Sequence, residues 1–134
     1  MDQLQKIRDS EWDNLIICDA ARFDYFEQEY QRFLDGKLEK VISPATCTID
    51  WMKKVWNGYY DIIYFSAWPG ANSKGIPSLG YTTRDHFKKI IDVWNFGWDE
   101  ELGTTPPWNM NKAVLKELCY ETPFDFLFGK PTIG

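Results

Sequence analysis

A chain of 134 residues that is 44% hydrophobic and 17% aromatic has enough apolar material for one core, which excludes an intrinsically disordered protein. Its formal net charge of −5 argues against a nucleic-acid partner or an anionic membrane surface. Three cysteines and a single histidine favour free thiols in the cytoplasm over a disulfide framework or a His/Cys zinc cluster. The polar, charged first residues and the shortness of every apolar run predict neither a signal peptide nor a membrane span.

The first part of the chain alternates between short apolar runs and segments of helical periodicity. Residues 15–18 (LIIC) are continuously apolar, which predicts a strand buried on both faces. Aromatic residues at helical spacing predict a helix over 22–34. A second short strand is predicted over 40–43, closed by Pro44, and a helix over 48–56.

The second part repeats this alternation around a long loop. Residues 62–67 (IIYFSA) predict a third strand, and the Gly/Pro/Ser/Asn-rich stretch 68–82 predicts a functional or mobile loop. Helices are predicted over 84–94 and 106–120, the second capped by Thr105.

The rhythm of strands and helices indicates the fold class. With a possible fourth strand over 124–129, it predicts a single α/β domain spanning residues 1–134. We expect a three-layer architecture in which a short, mostly parallel sheet of three to four strands is flanked by helices.

Small polar side chains follow the predicted strands. Asp19 follows the first strand, Ser43, Thr46 and Thr48 follow the second, and Ser66 ends the third. Because ligands bind outside the carboxyl ends of parallel strands, these groups could hold a divalent cation beside a nucleophile.

A simpler interpretation of the same residues is helix capping. Asp19 could cap the first predicted helix, and Thr48 could cap the second, with Asp50 near that helix start. The two interpretations are compatible, because a helix N-terminus also attracts anions. Both stay open at the level of sequence.

Four segments in order over roughly residues 11–110 resemble archaeal sulfatase-like proteins of the alkaline phosphatase superfamily, a branch that begins W-D-x-L-I-x-L-D-A-C-R-Y-D. These segments are WDNLIICDAARFDYFEQEY, SPATCTIDW, DIIYFSAWPGANSKG and DVWNFGWDEELGTTPP. The resemblance implies that Asp19 is the aspartate that ligates a catalytic divalent metal, zinc or manganese. It implies that Thr48 occupies the position of the covalent nucleophile.

Further residues carry weaker implications from the same resemblance. Arg22, Asn72 and Ser73 match polar positions of the branch and are candidates for substrate or anion binding. Asp24 is a candidate second metal ligand, although the first turn of a helix also favours an acidic residue. Cys47 lacks the C-x-P-x-R pattern of sulfatases that carry formylglycine.

The resemblance is also incomplete. Members of the branch are about twice this length, and their second half supplies an Asp-His pair and a further His, none of which His86 matches. The chain is therefore expected to be the front part of a longer protein or a reduced, non-catalytic archaeal or viral relative. Such a relative would bind a partner protein or form a homodimer, and could retain weak anion or divalent-metal binding at Asp19 and Thr48. The alternative is a phosphoester or sulfoester hydrolase whose remaining ligands come from another chain or segment.

The tryptophans leave a second choice open. Seven in a small domain predict either core packing and loop anchors or an exposed aromatic surface for a protein partner.

Overall fold

The computed structural model describes residues 2–19, 21–75 and 80–118, which belong to two compact units divided between Val55 and Trp56. Helices combined with a two-stranded parallel sheet make the fold mixed α/β. Across the described ranges, no helix has the length and apolarity needed to cross a membrane. The elements are α1 Gln3–Asp9, α2 Phe23–Glu29, α3 Thr48–Val55, β1 Tyr60–Ser66, β2 Phe87–Asp92, α4 Val93–Phe96 and α5 Pro107–Leu118, with 3₁₀ turns at Tyr30–Arg32 and Thr83–Asp85.

In the first unit, α1 contacts two distant segments. The Asp2 side chain caps α1 by accepting from the Leu4 amide at 2.8 Å, and the Gln3 amide donates to the Ile42 carbonyl at 2.9 Å. The Arg8 guanidinium donates to the Val55 carbonyl at 2.9 Å, at the end of α3. A basic side chain at this position satisfies a terminal carbonyl and complements the helix dipole.

An ion-pair cluster links α1 to the segment before residue 40. Glu39 lies 2.6 Å from the Lys6 ammonium and 2.8 Å from that of Lys37. Hydrogen bonds from Lys37 and then Lys6 lower the pKa of Glu39 to about 2. Because these side chains are exposed or only partly buried, water and salt screen the pairs, and the cluster orients the segment more than it stabilises it.

The two strands predicted in the first unit are not formed. Residues 15–18 adopt no helix or strand, and Ile16 is 65% exposed. Residues 40–43 contribute only an isolated bridge between Ile42 and Asp2. A strand is stable only when a neighbouring strand pairs with its backbone, and an apolar run does not specify that neighbour.

The predicted helices of this unit are confirmed. α2 and the 3₁₀ turn that follows it cover most of 22–34, and α3 matches 48–56 to within one residue. α2 nevertheless contains no buried residue.

In the second unit, β1 and β2 form a parallel pair. The register runs from Ile63 opposite Lys89 to Ser66 opposite Asp92, after an irregularity near Tyr60. The third predicted strand, 62–67, is therefore confirmed. The register also places two polar side chains together at the carboxyl ends of the strands.

The helix predicted over 84–94 is wrong. This stretch contains a 3₁₀ turn, strand β2 and the one-turn helix α4. The β-branched pair Ile90 and Ile91 suits a strand, and pairing with β1 overrides the helical spacing of the apolar residues.

The last described helix confirms the helix predicted over 106–120 but not the capping role predicted for Thr105. α5 begins at Pro107 and reaches Leu118. Thr105 lies before it and its hydroxyl donates to the Ala67 carbonyl at 3.1 Å, so this side chain joins α5 to the loop after β1. The possible strand over 124–129 lies outside the described residues, as does Cys119. The single-domain expectation stays a prediction.

The tryptophans divide between the two expected roles. Trp56 is buried and makes edge-to-face contacts with Tyr60 and Phe87, at centroid distances of 5.1 and 5.5 Å. Trp68 and Trp108 are exposed, as is Trp98. Core packing therefore accounts for some of these residues and not for others.

Tyr81 anchors the connection between the two strands. Its hydroxyl donates to the Trp56 carbonyl at 2.8 Å, and its ring stacks on His86 at 4.5 Å. The His86 Nδ1 donates in turn to the Gly58 carbonyl at 2.6 Å. Burial raises the pKa of the Tyr81 hydroxyl, so it remains a neutral donor.

We expect Tyr81→Phe to lower the free energy of unfolding by about 1–2 kcal/mol, because a buried hydrogen bond is lost while the ring contacts remain. Urea unfolding followed by circular dichroism measures the change. The control is Tyr59→Phe, since Tyr59 is 67% exposed and its substitution is expected to change stability by less than about 0.5 kcal/mol. Equal effects of the two substitutions would contradict the anchoring role of Tyr81.

Candidate functional site

Two residues predicted to share a site are in contact. Thr48 is the first residue of α3, and its Oγ1 donates to Oδ2 of Asp19 at 3.5 Å. This distance is at the outer limit of a hydrogen bond, so the exposed Asp19 carboxylate retains most of its capacity to accept other donors. A sequence separation of 29 positions makes this a tertiary contact rather than a local turn.

The capping interpretation does not describe this contact. The residue at the N-cap of α2 is Arg22, which makes no side-chain cap bond, so Asp19 lies three positions too early to cap that helix. Thr48 lies inside α3 and donates to Asp19 instead of accepting from its own helix. Asp19 and Thr48 therefore form a carboxylate–hydroxyl pair.

The start of α3 carries further polar groups. The Cys47 thiol donates to Oδ2 of Asp50 at 3.2 Å, and the Lys54 ammonium donates to the Pro44 carbonyl at 2.8 Å. An open groove of about 410 Å³ beside them is lined by Pro44, Ala45, Thr46, Asp50, Lys53 and Lys54. Both signs of charge line this groove, so its electrostatics do not select one class of ligand.

Arg22 and Asp24 bind each other. The guanidinium makes two bonds to the carboxylate, at 3.1 and 2.5 Å, and stacks over Tyr25 with its Cζ 4.8 Å from the ring centroid. The Tyr25 amide donates to the same carboxylate at 3.0 Å. Asp24 is thus engaged at the first turn of α2, which matches the helix-start interpretation better than metal ligation.

In the second unit, Asn72 and Ser73 organise the loop after β1. The Asn72 side chain is buried; its Oδ1 accepts from the Lys74 and Gly75 amides at 3.0 and 2.7 Å. The Ser73 amide and hydroxyl donate to the two carboxylate oxygens of Asp92 at 2.9 and 2.5 Å. The groups predicted to bind an anion are therefore already hydrogen-bonded, those of Asn72 within the loop and those of Ser73 to Asp92.

Asp92 is a residue that the sequence reasoning missed. It ends β2 and receives Ser73, and the Trp94 indole donates to it at 3.3 Å. The available signal was a carboxylate directly after the apolar pair Ile90 and Ile91, the same pattern that singled out Asp19. The helical spacing of the apolar residues over 84–94 concealed that signal.

The donor set does not fit a zinc or manganese site as such sites are usually built. Asp19 and Thr48 provide one carboxylate and one hydroxyl, whereas transition-metal sites use three or four ligands. Asp24 is paired with Arg22, and His86 contacts Tyr81 and Gly58. Within ranges 2–19, 21–75 and 80–118, no group of three or more His, Cys, Asp or Glu side chains is placed to hold a metal ion.

Comparison of the chain with protein-family models, with curated proteins and with solved structures finds no match. The resemblance to sulfatase-like proteins therefore depends on the four quoted segments alone. Independently of it, the folded chain brings Asp19 and Thr48 together.

We expect no saturable binding of Mn²⁺ or Zn²⁺ at micromolar concentration in calorimetric titrations of the metal-free protein, because two oxygen ligands hold such ions weakly. Asp19→Ala is the test variant and Asp13→Ala, an exposed carboxylate of the same segment, is the matched control. Micromolar binding that disappears in Asp19→Ala and persists in Asp13→Ala would contradict this expectation.

Proposed function

We propose that this chain is a relative of the sulfatase-like proteins that acts by binding a second copy of itself rather than by catalysis. The observation that carries the proposal is a set of large apolar side chains left exposed in the first unit. We call this set the N-terminal apolar surface. It comprises Leu15, Ile16, Ile17, Tyr25, Phe26, Phe33, Leu34 and Ile42.

The helix α2 contributes to this surface in an unusual way. A surface helix normally buries one apolar stripe, yet α2 has no buried residue. Phe33, just after the 3₁₀ turn, is 77% exposed. Exposed aromatic residues in this number are typical of the centre of a protein interface.

One member of the surface, Phe26, is stacked on a neighbouring ring. The Phe26 and Tyr30 rings stack with 5.8 Å between centroids and 6° between planes. Fixing side chains before association reduces the entropy lost on binding. A standard interface buries roughly 800 Å² on each partner, an area that eight large side chains can approach.

The net charge of the chain opposes a dimer, so the interface has to be apolar at its centre. Two chains that each carry a formal charge of −5 repel one another, so burial of the apolar side chains has to overcome this repulsion. Added salt screens the repulsion and is expected to strengthen association.

The proposal includes a finer architecture and a location. The finer architecture is a three-layer domain in which β1 and β2 belong to a short, mostly parallel sheet of three to four strands flanked by helices. The parallel pairing of β1 with β2 supports it. The exposed free thiols of Cys18 and Cys47 support a reducing compartment, the cytoplasm.

We expect sedimentation velocity to find a concentration-dependent dimer that Phe33→Ser weakens by at least about tenfold in dissociation constant, since a hot-spot aromatic at the centre of an interface contributes about 2 kcal/mol or more. Tyr59→Ser is the control, because Tyr59 is similarly exposed but lies outside the N-terminal apolar surface.

Circular dichroism spectra of the two variants should be the same as that of the parent, which separates loss of association from loss of fold. A monomer at every concentration would overturn the proposal. A dimer that depends on Tyr59 and not on Phe33 would show that the interface lies outside the N-terminal apolar surface, which would contradict the proposal.

A second candidate function is hydrolysis of a phosphoester or sulfoester. The observation that favours it is the contact between Thr48 and Asp19, the nucleophile and metal-ligand positions of the resemblance. The remaining ligands would come from another chain or another segment.

A chromogenic phosphodiester assayed with Mn²⁺ or Zn²⁺ separates the two candidates. The association proposal expects no turnover above that of the metal alone. Turnover that Thr48→Ala abolishes and Thr46→Ala preserves would establish the hydrolase instead.

A further inference from the structure

We infer that Cys18 and Cys47 form a redox-controlled pair that closes into an intramolecular disulfide. Both thiols are free and exposed. Cys18 directly precedes Asp19, and Cys47 directly precedes Thr48, so the Asp19–Thr48 contact brings two cysteines into one neighbourhood. The inference depends on this contact alone and does not need the proposed function.

Chain geometry limits how far apart the two cysteines are. With 3.5 Å between Asp19 Oδ2 and Thr48 Oγ1, the intervening bonds allow at most roughly 17 Å between the Cα atoms of Cys18 and Cys47. A disulfide requires about 4.4–6.8 Å between these atoms. Closure therefore needs one of the two segments to move.

The two segments differ in how firmly they are held. The Cys47 carbonyl accepts from the Trp51 amide at 3.0 Å, which fixes Cys47 to the first turn of α3. Residues 15–18 belong to no helix or strand. The Cys47 thiol also donates to Asp50 at 3.2 Å, whereas no helix or strand includes residues 15–18, so we assign the movement to residues 15–18.

The chemistry requires an oxidant, for which a hydroperoxide suffices. The sulfur of one cysteine attacks a peroxide oxygen, the O–O bond breaks, and a sulfenic acid and one molecule of water (an alcohol, for an organic peroxide) are formed. The sulfur of the other cysteine then attacks the sulfenic sulfur, the S–O bond breaks, and the hydroxyl leaves as water with the second thiol proton. The two thiols lose two electrons in all, and the peroxide gains them.

Closure has a structural consequence for the first unit. The disulfide encloses residues 18–47, a stretch that contains α2 and most of the N-terminal apolar surface. It holds Asp19 beside the start of α3 covalently, in addition to the long hydrogen bond from Thr48 that the reduced chain has there. The oxidation state of Cys18 and Cys47 therefore controls how firmly residues 18–47 are held.

The test uses the 134-residue chain with Cys119→Ser, so that two thiols remain. After treatment with hydrogen peroxide and alkylation of residual thiols, trypsin releases Cys18 in peptide 9–22 and Cys47 in peptide 41–53. We expect mass spectrometry to find these peptides joined, and non-reducing electrophoresis to show the product at monomer size. Cys18→Ser abolishes the joined species.

Thr48→Val tests the role of the contact. Loss of the hydroxyl is expected to slow disulfide formation roughly fivefold, the population change that corresponds to a single hydrogen bond. Thr46→Val, a control two residues away, should leave the rate unchanged.

Peptides 9–22 and 41–53 recovered separately alkylated after peroxide treatment would overturn the inference. Joined peptides found only at dimer size would also overturn it, while supporting self-association. Formation of the disulfide in a protein that sediments as a monomer would instead uphold the inference and refute the proposed function.

Discussion

Parallel pairing of β1 with β2 is the constraint on which the second unit depends. Parallel strands need a crossover connection, and here residues 67–86 provide it. Tyr81 holds the end of the crossover through its bond to the Trp56 carbonyl, and Ser73 holds its middle to Asp92. The described part of the crossover is therefore held by hydrogen bonds to Trp56, which precedes β1, and to Asp92, which ends β2.

The first unit follows a different principle. In this unit α1 contacts α3, where Arg8 reaches the last carbonyl of that helix, while α2 contains no buried residue. Burial of apolar surface is the main driving force of folding and of association, so exposed aromatic residues indicate a surface still available for a partner. The contact between Asp19 and Thr48 lies in this same unit. Association, ligand binding and cysteine oxidation would therefore act on one part of the chain.

Local signals predicted a substantial part of the fold and of the site. The helix at α3 and the strand at β1 follow from periodicity and composition, because their local preferences agree with their tertiary surroundings. The meeting of Asp19 and Thr48 was predicted from their places after apolar runs, although no strand forms at 15–18. The roles of Asn72 and Ser73 were not accessible from sequence, since their partner Asp92 lies in a segment whose apolar spacing fits a helix.

The sequence by itself determined the mixed α/β character, the positions of α3, α5 and β1, and the presence of a carboxylate and a hydroxyl in the same unit. These depend on local spacing, which a single chain displays directly. Only the tertiary structure decided that residues 87–92 form a strand, that 15–18 do not, and that Asp24 is engaged by Arg22. The physical reason is pairing. A strand and an ion pair each exist only with a partner, and the identity of that partner is fixed when distant residues come together.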